Sequence, residues 1–183
     1  MPHFDQRERL TRLAFYSVEH GVRRGCELQV NIGEWPADLH EIRASFVTLL
    51  KHNELRGCIG SLVASRPLVE DISHHAFAAA FEDPRFGSVK ASELDALHVH
   101  ISVLSTPSTV SFCSEADLLR LIRPGRDGLI LRDGAHQATF LPDVWEKLPD
   151  PVRFLAQLKI KAGLGKDYWS DGISIERYTT ESW

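Results

Sequence analysis

The sequence feature that most constrains the fold is a cysteine set between two glycines in the run Leu-Arg-Gly-Cys-Ile-Gly, residues 55–60. Residues 45–50 are rich in strand-favouring side chains, and the polar residues 51–54 include an asparagine that is typical of a turn. This order predicts a β-hairpin whose second strand carries Cys58. Because side chains alternate between the two faces of a strand, Arg56 and Cys58 are expected on one face, with Cα atoms about 7 Å apart.

This cysteine admits two interpretations. Glycine is unfavourable in a strand unless the chain bulges or another group approaches closely, so Gly57 and Gly60 are consistent with open space beside the thiol. A cation such as Arg56 on the same face favours the thiolate, which is the reactive form of cysteine. The alternative is a buried Cys58 that acts as a small hydrophobic residue, with glycines that permit close strand packing. The residues alone leave both interpretations open.

A second run that carries chemistry is Asp83-Pro84-Arg85-Phe86. A charged pair around a proline predicts a rigid loop that aims both side chains. In one interpretation Arg85 anchors a ligand or substrate. In the other, Asp83 and Arg85 form an internal ion pair that closes the end of the preceding helix. Rigid loops are found in both roles.

These two runs resemble the signature of the AMMECR family. The resemblance covers nearly the whole chain, residues 1–183, and implies an α+β fold with antiparallel sheets and flanking helices in two subdomains around a cleft. The larger subdomain would hold both termini and the smaller one would be inserted. The resemblance also implies, in many prokaryotes, a genomic association with a Memo-like protein and a radical SAM protein, the AmmeMemoRadiSam system. Further matching runs are residues 46–49, 101–105, 128–130, 141–142, 145 and 161–164.

Composition excludes several classes of protein. Hydrophobic residues make up 43% and charged residues 25% of the 183 residues, which is typical of a globular protein. The formal net charge of −4 argues against nucleic acid or an anionic membrane as the main partner. The N-terminus lacks the basic and apolar blocks of a signal peptide, and no apolar run approaches the roughly 18 residues of a membrane span.

The three cysteines are Cys26, Cys58 and Cys113. They are odd in number and widely spaced, with no C-x-x-C pair, so neither a disulfide framework nor a cysteine-only zinc site is expected. Free thiols fit a reducing compartment, and we therefore expect a cytoplasmic protein.

Hydrophobic periodicity predicts the elements around the hairpin. Strands and helices are mixed without strict β-α-β alternation, which favours an α+β fold. Residues 26–42 are expected to be mostly loop with at most a short strand. Helices are expected at residues 5–24, from 68 to the proline at 84, from 115 and from about 151 to 161; strands are expected at 97–105, 128–131, 138–141 and around 173–178.

The histidines do not make a convincing metal site. His98 and His100 share one strand face, but no third and fourth ligands are identifiable nearby, so a solvated strand face is the preferred interpretation. His75 falls near an apolar stripe, where a core histidine is expected, and it departs from the asparagine that the AMMECR family usually has near that position. His52 is close to Cys58 in sequence but lies across a turn, so it is not assigned as a base.

The preferred hypothesis is an enzyme, or a component of an enzyme system, with a cleft lined by Arg56, Cys58, Asp83 and Arg85. Cys58 and Arg56 are the candidate catalytic residues, and Gly57 and Gly60 join Asp83 and Arg85 as candidate ligand-binding residues. No cofactor or metal is assigned. The alternative hypothesis is a non-catalytic adaptor that grips a protein segment and works with Memo-like and radical SAM partners. Substrate, reaction type and oligomeric state are left open.

Overall fold

The computed structural model of the chain describes residue 2 and residues 4–183; Met1 and His3, part of the N-terminal segment considered above, lie outside the described residues. Two antiparallel sheets of four strands and flanking helices make up the fold, so the expected α+β architecture is confirmed. The helices are α1 (Phe4–Arg24), α2 (Leu68–Phe81), α3 (Glu115–Leu121) and α4 (Pro151–Lys161); the strands are β1 (Ser45–Lys51), β2 (Glu54–Gly60), β3 (Leu97–Leu104), β4 (Ser108–Thr109), β5 (Gly128–Asp133), β6 (His136–Phe140), β7 (Ser174–Tyr178) and β8 (Thr180–Ser182).

The chain divides into two compact units. Unit 1 runs to Leu104 and resumes at Glu181–Trp183, and unit 2 is Ser105–Thr180. Each unit has its own cluster of buried apolar side chains. The Leu-Arg-Gly-Cys-Ile-Gly run lies in unit 1.

Unit 1 is a sheet of strand order β2-β1-β3-β8 covered by α1 and α2. Val47 and Leu49 of β1 and Ile101 of β3 are fully buried and pack with the helices in one cluster. Leu97 and Val103 of β3 join the same cluster as Ile101, because every second side chain of a strand points to the same face. Thr48 of β1 and His98 and His100 of β3 point to the opposite face.

The hairpin that joins β1 and β2 has a two-residue turn. His52 and Asn53 both have positive φ angles, 53° and 65°. This pair of left-handed residues is typical of a type I′ turn, whose twist matches that of the two strands. The polar turn predicted from the sequence is confirmed.

A bulge interrupts the pairing of this hairpin. The register shifts between Leu49 and Leu50, which leaves Arg56 without a residue opposite it on β1. Beyond the bulge, Thr48 lies directly opposite Cys58. Strict alternation therefore does not hold through Arg56, so the simple spacing rule does not relate its side chain to that of Cys58.

Unit 2 is a sheet of strand order β4-β7-β5-β6 with α3 and α4. The rings of Trp145 and Phe154 stack with their centroids 3.7 Å apart in the centre of its apolar cluster. The side chain of Lys159 is completely buried, and its Nζ donates to Glu115 Oε1 at 2.5 Å. This contact joins α4 to the first turn of α3.

The four expected helices are confirmed, and the strands around the hairpin agree with expectation to within two residues. Residues 26–42 contain two short 3-10 helices, Ile32–Glu34 and Ala37–His40, and no strand. Three short elements were not expected: β4, β8 and the 3-10 helix Ala91–Ala96. Strands of two and three residues are too short to show an alternation, and a helix of six residues is too short to show a helical period.

Among the described residues, no helix is both long enough and apolar enough to cross a lipid bilayer.

Candidate functional site

Cys58 lies on the outermost strand of its sheet, so one edge of its backbone faces away from β1. At that edge its N–H donates to Asp83 Oδ2 at 2.8 Å, and its carbonyl oxygen accepts from Arg85 Nη2 at 3.2 Å. An edge strand normally leaves such groups unpaired. The Asp83–Arg85 loop therefore takes the place of a neighbouring strand at this one residue.

The loop is held together by its own ion pair. Arg85 Nε donates to Asp83 Oδ1 at 2.9 Å and Arg85 Nη2 donates to Asp83 Oδ2 at 2.7 Å, while the Arg85 backbone N–H also donates to Oδ1 at 3.1 Å. The Asp83 side chain is only 2% exposed, whereas the Arg85 side chain is 54% exposed. This is the two-pronged geometry in which arginine binds carboxylates most strongly.

These contacts shift both pKa values in the directions expected of an ion pair. The Arg85 side chain holds the pKa of Asp83 far below its ordinary value; burial opposes this shift, and the backbone N–H groups of Cys58 and Arg85 add to it. The hydrogen bond to Asp83 also raises the pKa of Arg85, with a smaller contribution from the nearby Cys58. The pair is thus internal, as one interpretation expected, but its further partner is the Cys58 backbone.

Arg56 is bound by a carboxylate that sequence reasoning missed. Its Nε and Nη2 donate to the two carboxylate oxygens of Glu93 at 3.0 and 3.1 Å, and Lys51 Nζ donates to Glu93 Oε1 at 2.9 Å. These hydrogen bonds, Arg56 first, lower the pKa of Glu93 well below its ordinary value. The Arg56 side chain is 14% exposed, and its Nη1 is buried with no hydrogen-bond partner among the described residues.

The phenyl ring of Phe86 links the two arginines. The guanidinium carbon of Arg85 lies 5.5 Å from the ring centroid and that of Arg56 lies 6.0 Å from it, both over the ring. With Lys51, these arginines supply three positive charges against the two carboxylates of Asp83 and Glu93. The group therefore carries a surplus of one positive charge in a chain whose formal net charge is −4.

The sulfur of Cys58 is half-buried and accepts a hydrogen bond from the Thr48 hydroxyl at 3.2 Å. A hydroxyl donor stabilises negative charge on the sulfur. His100 lies opposite Thr48 on β3, so Cys58, Thr48 and His100 form a row across three strands. Within the described part of the chain, no basic side chain is hydrogen-bonded to the sulfur. Cys26 and Cys113 are exposed free thiols, more open to solvent than Cys58.

The two glycines do not leave the open space that the sequence suggested. A Cβ on Gly57 would lie 2.1 Å from the backbone oxygen of Ala79 in α2, and one on Gly60 would lie 2.3 Å from the Phe46 ring. The room at both positions is already filled by protein atoms. The expectation of free space beside the thiol is wrong, because the missing side chains let α2 and the Phe46 ring approach β2.

The histidines are divided between the surface and the core. His98 is exposed and His100 is half-buried, and the described residues contain no cluster of three metal-ligating side chains. His75 is a core histidine, as expected: its Nδ1 lies 3.1 Å from Asp71 Oδ2, which also accepts from the Ser45 hydroxyl at 2.6 Å. The Ser45 hydroxyl also lies 3.4 Å from His75 Nδ1, so the serine and the aspartate meet the same ring nitrogen. A nucleophile and an orienting acid would meet different nitrogens of the ring, and all three side chains are buried, so this is a packing network.

Comparison with known proteins agrees with this architecture. The AMMECR1 family model matches residues 11–183. A protein of Thermococcus onnurineus is 41% identical over 185 residues, covering 95% of this chain and 87% of that protein. A protein of Methanocaldococcus jannaschii is 35% identical over 161 residues, covering 84% of this chain and 78% of that protein.

A solved structure has the same fold. The crystal structure of an uncharacterised protein from Pyrococcus horikoshii matches with a TM-score of 0.86 at 37% sequence identity, covering 96% of this chain and 89% of that one. Agreement in sequence and in fold thus extends over both units. The chain belongs to the AMMECR1 family.

Proposed function

We propose that this protein is an enzyme, or a component of an enzyme system, that acts through the thiol of Cys58. One observation carries the proposal: the ion pair of buried Asp83 with Arg85 holds both backbone polar groups of Cys58, while the Cys58 sulfur accepts a hydrogen bond from Thr48. A cysteine that serves only as a small apolar residue needs neither arrangement. Enzymes hold a reacting group in place with contacts of this kind, so that the group loses little conformational freedom when it reacts.

The surrounding residues take different parts in this proposal. Asp83 and Arg85 position the Cys58 backbone, and Arg85 alone of the two has a substantially exposed side chain. Arg56 acts through charge, since Glu93 holds its guanidinium. Gly57 lets α2 approach the strand, and Gly60 lets the Phe46 ring pack against it.

The proposal is tested by comparing wild type with Cys58→Ala after incubation with the small-molecule fraction of a cell extract. Intact mass spectrometry and analysis of retained metabolites should detect a small molecule on wild type and on the matched control Cys113→Ala, but not on Cys58→Ala. A molecule retained equally by all three proteins would assign recognition to other residues and remove Cys58 from the chemistry.

An adaptor is the second candidate function, and a groove in unit 1 favours it. A hollow of about 630 Å³ between α1 and the start of β3 is lined by the apolar and aromatic side chains of Phe15, Tyr16, Leu97 and Val99 together with polar ones, among them Arg12 and Glu19. An apolar side chain of a partner protein fits this hollow, and the polar residues of its lining would orient the partner segment.

The two functions differ in which variant abolishes binding. For an adaptor, a protein captured from the extract should be retained by Cys58→Ala and lost with Tyr16→Ala, because Tyr16 lines the hollow and its side chain is 53% exposed. For the enzyme, loss should follow Cys58 and spare Tyr16. Memo-like and radical SAM proteins are the partners that we propose to test first, and a cytoplasmic setting is supported by three unpaired cysteines.

A further inference from the structure

Arg85 has hydrogen-bond donors left over. A guanidinium group has five N–H donors in a fixed plane. In Arg85, Nε–H and both N–H groups of Nη2 are used by the Asp83 carboxylate and by the Cys58 carbonyl oxygen. The two N–H groups of Nη1 have no acceptor among the described residues, and more than half of the side-chain surface is open to solvent.

These free donors cannot swing away as those of an ordinary surface arginine can. The guanidinium is fixed at two atoms by a carboxylate that is itself buried, and at a third contact by the backbone of β2. Binding of a ligand to Nη1 therefore costs little conformational entropy of the Arg85 side chain. That entropy cost weakens most contacts to surface side chains. Nη1 is bonded to the same carbon as Nη2, which donates to the Cys58 carbonyl oxygen, so Nη1 lies next to the strand that carries the thiol.

The charge around Arg85 favours an anion. Within these ion pairs, Lys51, Arg56 and Arg85 outnumber the carboxylates of Asp83 and Glu93 by one charge. Glu54, opposite Lys51, and Glu82, next to Asp83 in the chain, lie outside the pairs. Both carboxylates stay ionised at neutral pH, since the pKa values of Asp83 and Glu93 lie below their ordinary range, so the surplus is constant around neutrality. The buried Nη1 of Arg56 also lacks a partner among the described residues, on the same Phe86 ring.

We propose that Nη1 of Arg85 is an anion subsite beside Cys58, which binds a carboxylate or phosphate group of the molecule on which the protein acts. That this anion belongs to a substrate rests on the proposed function of Cys58, whereas anion binding by Arg85 does not. Arginine suits this task because its planar donors match the oxygens of both groups. Asp83 is then a positioning residue that aims the arginine and leaves one of its edges free.

The subsite is tested with two alkylating reagents of nearly equal size, anionic iodoacetate and neutral iodoacetamide. In a Cys26→Ser/Cys113→Ser background, the iodoacetate-to-iodoacetamide rate ratio at Cys58 in folded protein is divided by the same ratio in unfolded protein. We expect this normalised ratio to exceed one and to fall about three- to ten-fold in Arg85→Gln, the effect of one unit charge a few ångströms away in a well-solvated site. The matched control Arg153→Gln, which removes an exposed charge from α4, should leave it unchanged.

Two further measurements keep the test decisive. Arg85→Lys, which keeps the charge but loses the planar donors, should retain part of the preference if Arg85→Gln proves unstable. Titration of wild type with inorganic phosphate and with acetate, followed through the Arg85 Nε–H resonance, should give saturable binding. The tighter of the two anions distinguishes a phosphate-bearing from a carboxylate-bearing ligand.

A normalised ratio near one that Arg85→Gln does not change, with no saturable shift in either titration, would overturn the subsite. If Cys58 reacts with neither reagent, the proposed thiol function fails, and the titration alone decides on the anion subsite.

Discussion

Gly57 shows how a single residue determines the local packing of the site. A Cβ at this position would collide with the Ala79 carbonyl oxygen, which belongs to a helix backbone and cannot turn aside. We expect Gly57→Ala to lower the free energy of unfolding by about 1–3 kcal/mol or more, the usual range for overpacking. Gly87→Ala is the matched control, because a Cβ there meets no atom within 4 Å. Urea denaturation of both variants measures the difference; equal, small effects would contradict the close approach of α2.

Thr48 is the residue that acts most directly on the sulfur. Its hydroxyl donates to Cys58 at 3.2 Å, so Thr48→Val should slow alkylation of Cys58 in the folded protein by about five-fold, the value of one ordinary hydrogen bond. Thr48→Ser keeps the hydroxyl and should react at nearly the wild-type rate. Iodoacetamide labelling measures the alkylation rate of each variant. Equal rates for Thr48→Val and Thr48→Ser would contradict this role.

At the scale of elements, the loop after α2 acts as a clamp on β2. Asp83 accepts hydrogen bonds from its own loop and from the Cys58 backbone, and a carboxylate with such partners stabilises the fold only while it is ionised. Its pKa is lowered in the folded state from an ordinary value of 3.8. The stabilisation is therefore complete above about pH 5 and declines as the pH falls below the unfolded-chain pKa.

We expect Asp83→Asn to lower the free energy of unfolding by about 1–3 kcal/mol at neutral pH, since a buried hydrogen-bonded charge is removed. The difference from wild type should shrink as the pH falls from 5 towards 3. Asp167→Asn, at a carboxylate with an 88% exposed side chain, should have little effect at any pH. Urea denaturation across this pH range makes the comparison, and a difference that stays constant down to pH 3 would show that the Asp83 charge is not what holds the loop.

The same elements show where sequence reasoning succeeds and where it stops. The apolar period of α1 and α2 and the polar turn of the hairpin are local signals, and their helices and turn are found as expected. Counting back from the turn without a bulge would place Thr48 opposite Gly57; the extra residue at Arg56 moves Thr48 opposite Cys58. Glycine within a strand is a known sign of a bulge, but it does not say where the extra residue lies.

The partner of Arg56 could not be found from the sequence. Glu93 is 37 residues away and lies in a 3-10 helix too short to show periodicity. Asp83 and Arg85 were found because both lie in one four-residue run. Their hydrogen bonds to the Cys58 backbone, 25 and 27 residues away, depend on the packing of α2, which separates the loop from β2 in sequence. The sequence alone therefore does not predict them.

At the scale of the whole molecule, stability should have an alkaline limit set by a residue of unit 2. Tyr178 is buried, and its hydroxyl lies 2.9 Å from that of Thr139 and donates to the Phe140 carbonyl oxygen at 3.2 Å. Burial raises the pKa of Tyr178 to about 12 from an ordinary 10.0, and the Thr139 hydrogen bond only partly offsets this. The neutral tyrosine therefore stabilises the fold below pH 10, and this contribution is lost as the pH rises towards 12.

We expect wild type to lose stability more steeply than Tyr178→Phe between pH 10 and 12. At neutral pH the variant should be less stable by about 0.5–1.5 kcal/mol, because its hydrogen bonds are missing. Urea denaturation at several alkaline pH values gives both numbers. Parallel pH profiles for the two proteins would show that ionisation of Tyr178 is not coupled to unfolding.

The central claim is that Cys58 is a reactive group held in position by the fold, and the rate of its alkylation tests this most directly. In the Cys26→Ser/Cys113→Ser protein at neutral pH, iodoacetamide should modify Cys58 in the folded state at least as fast as in urea-unfolded protein, although the thiol is half-buried. Intact mass spectrometry over time provides both rates. A folded-state rate about a hundred-fold lower, governed by unfolding, would show that Cys58 is an inert core residue.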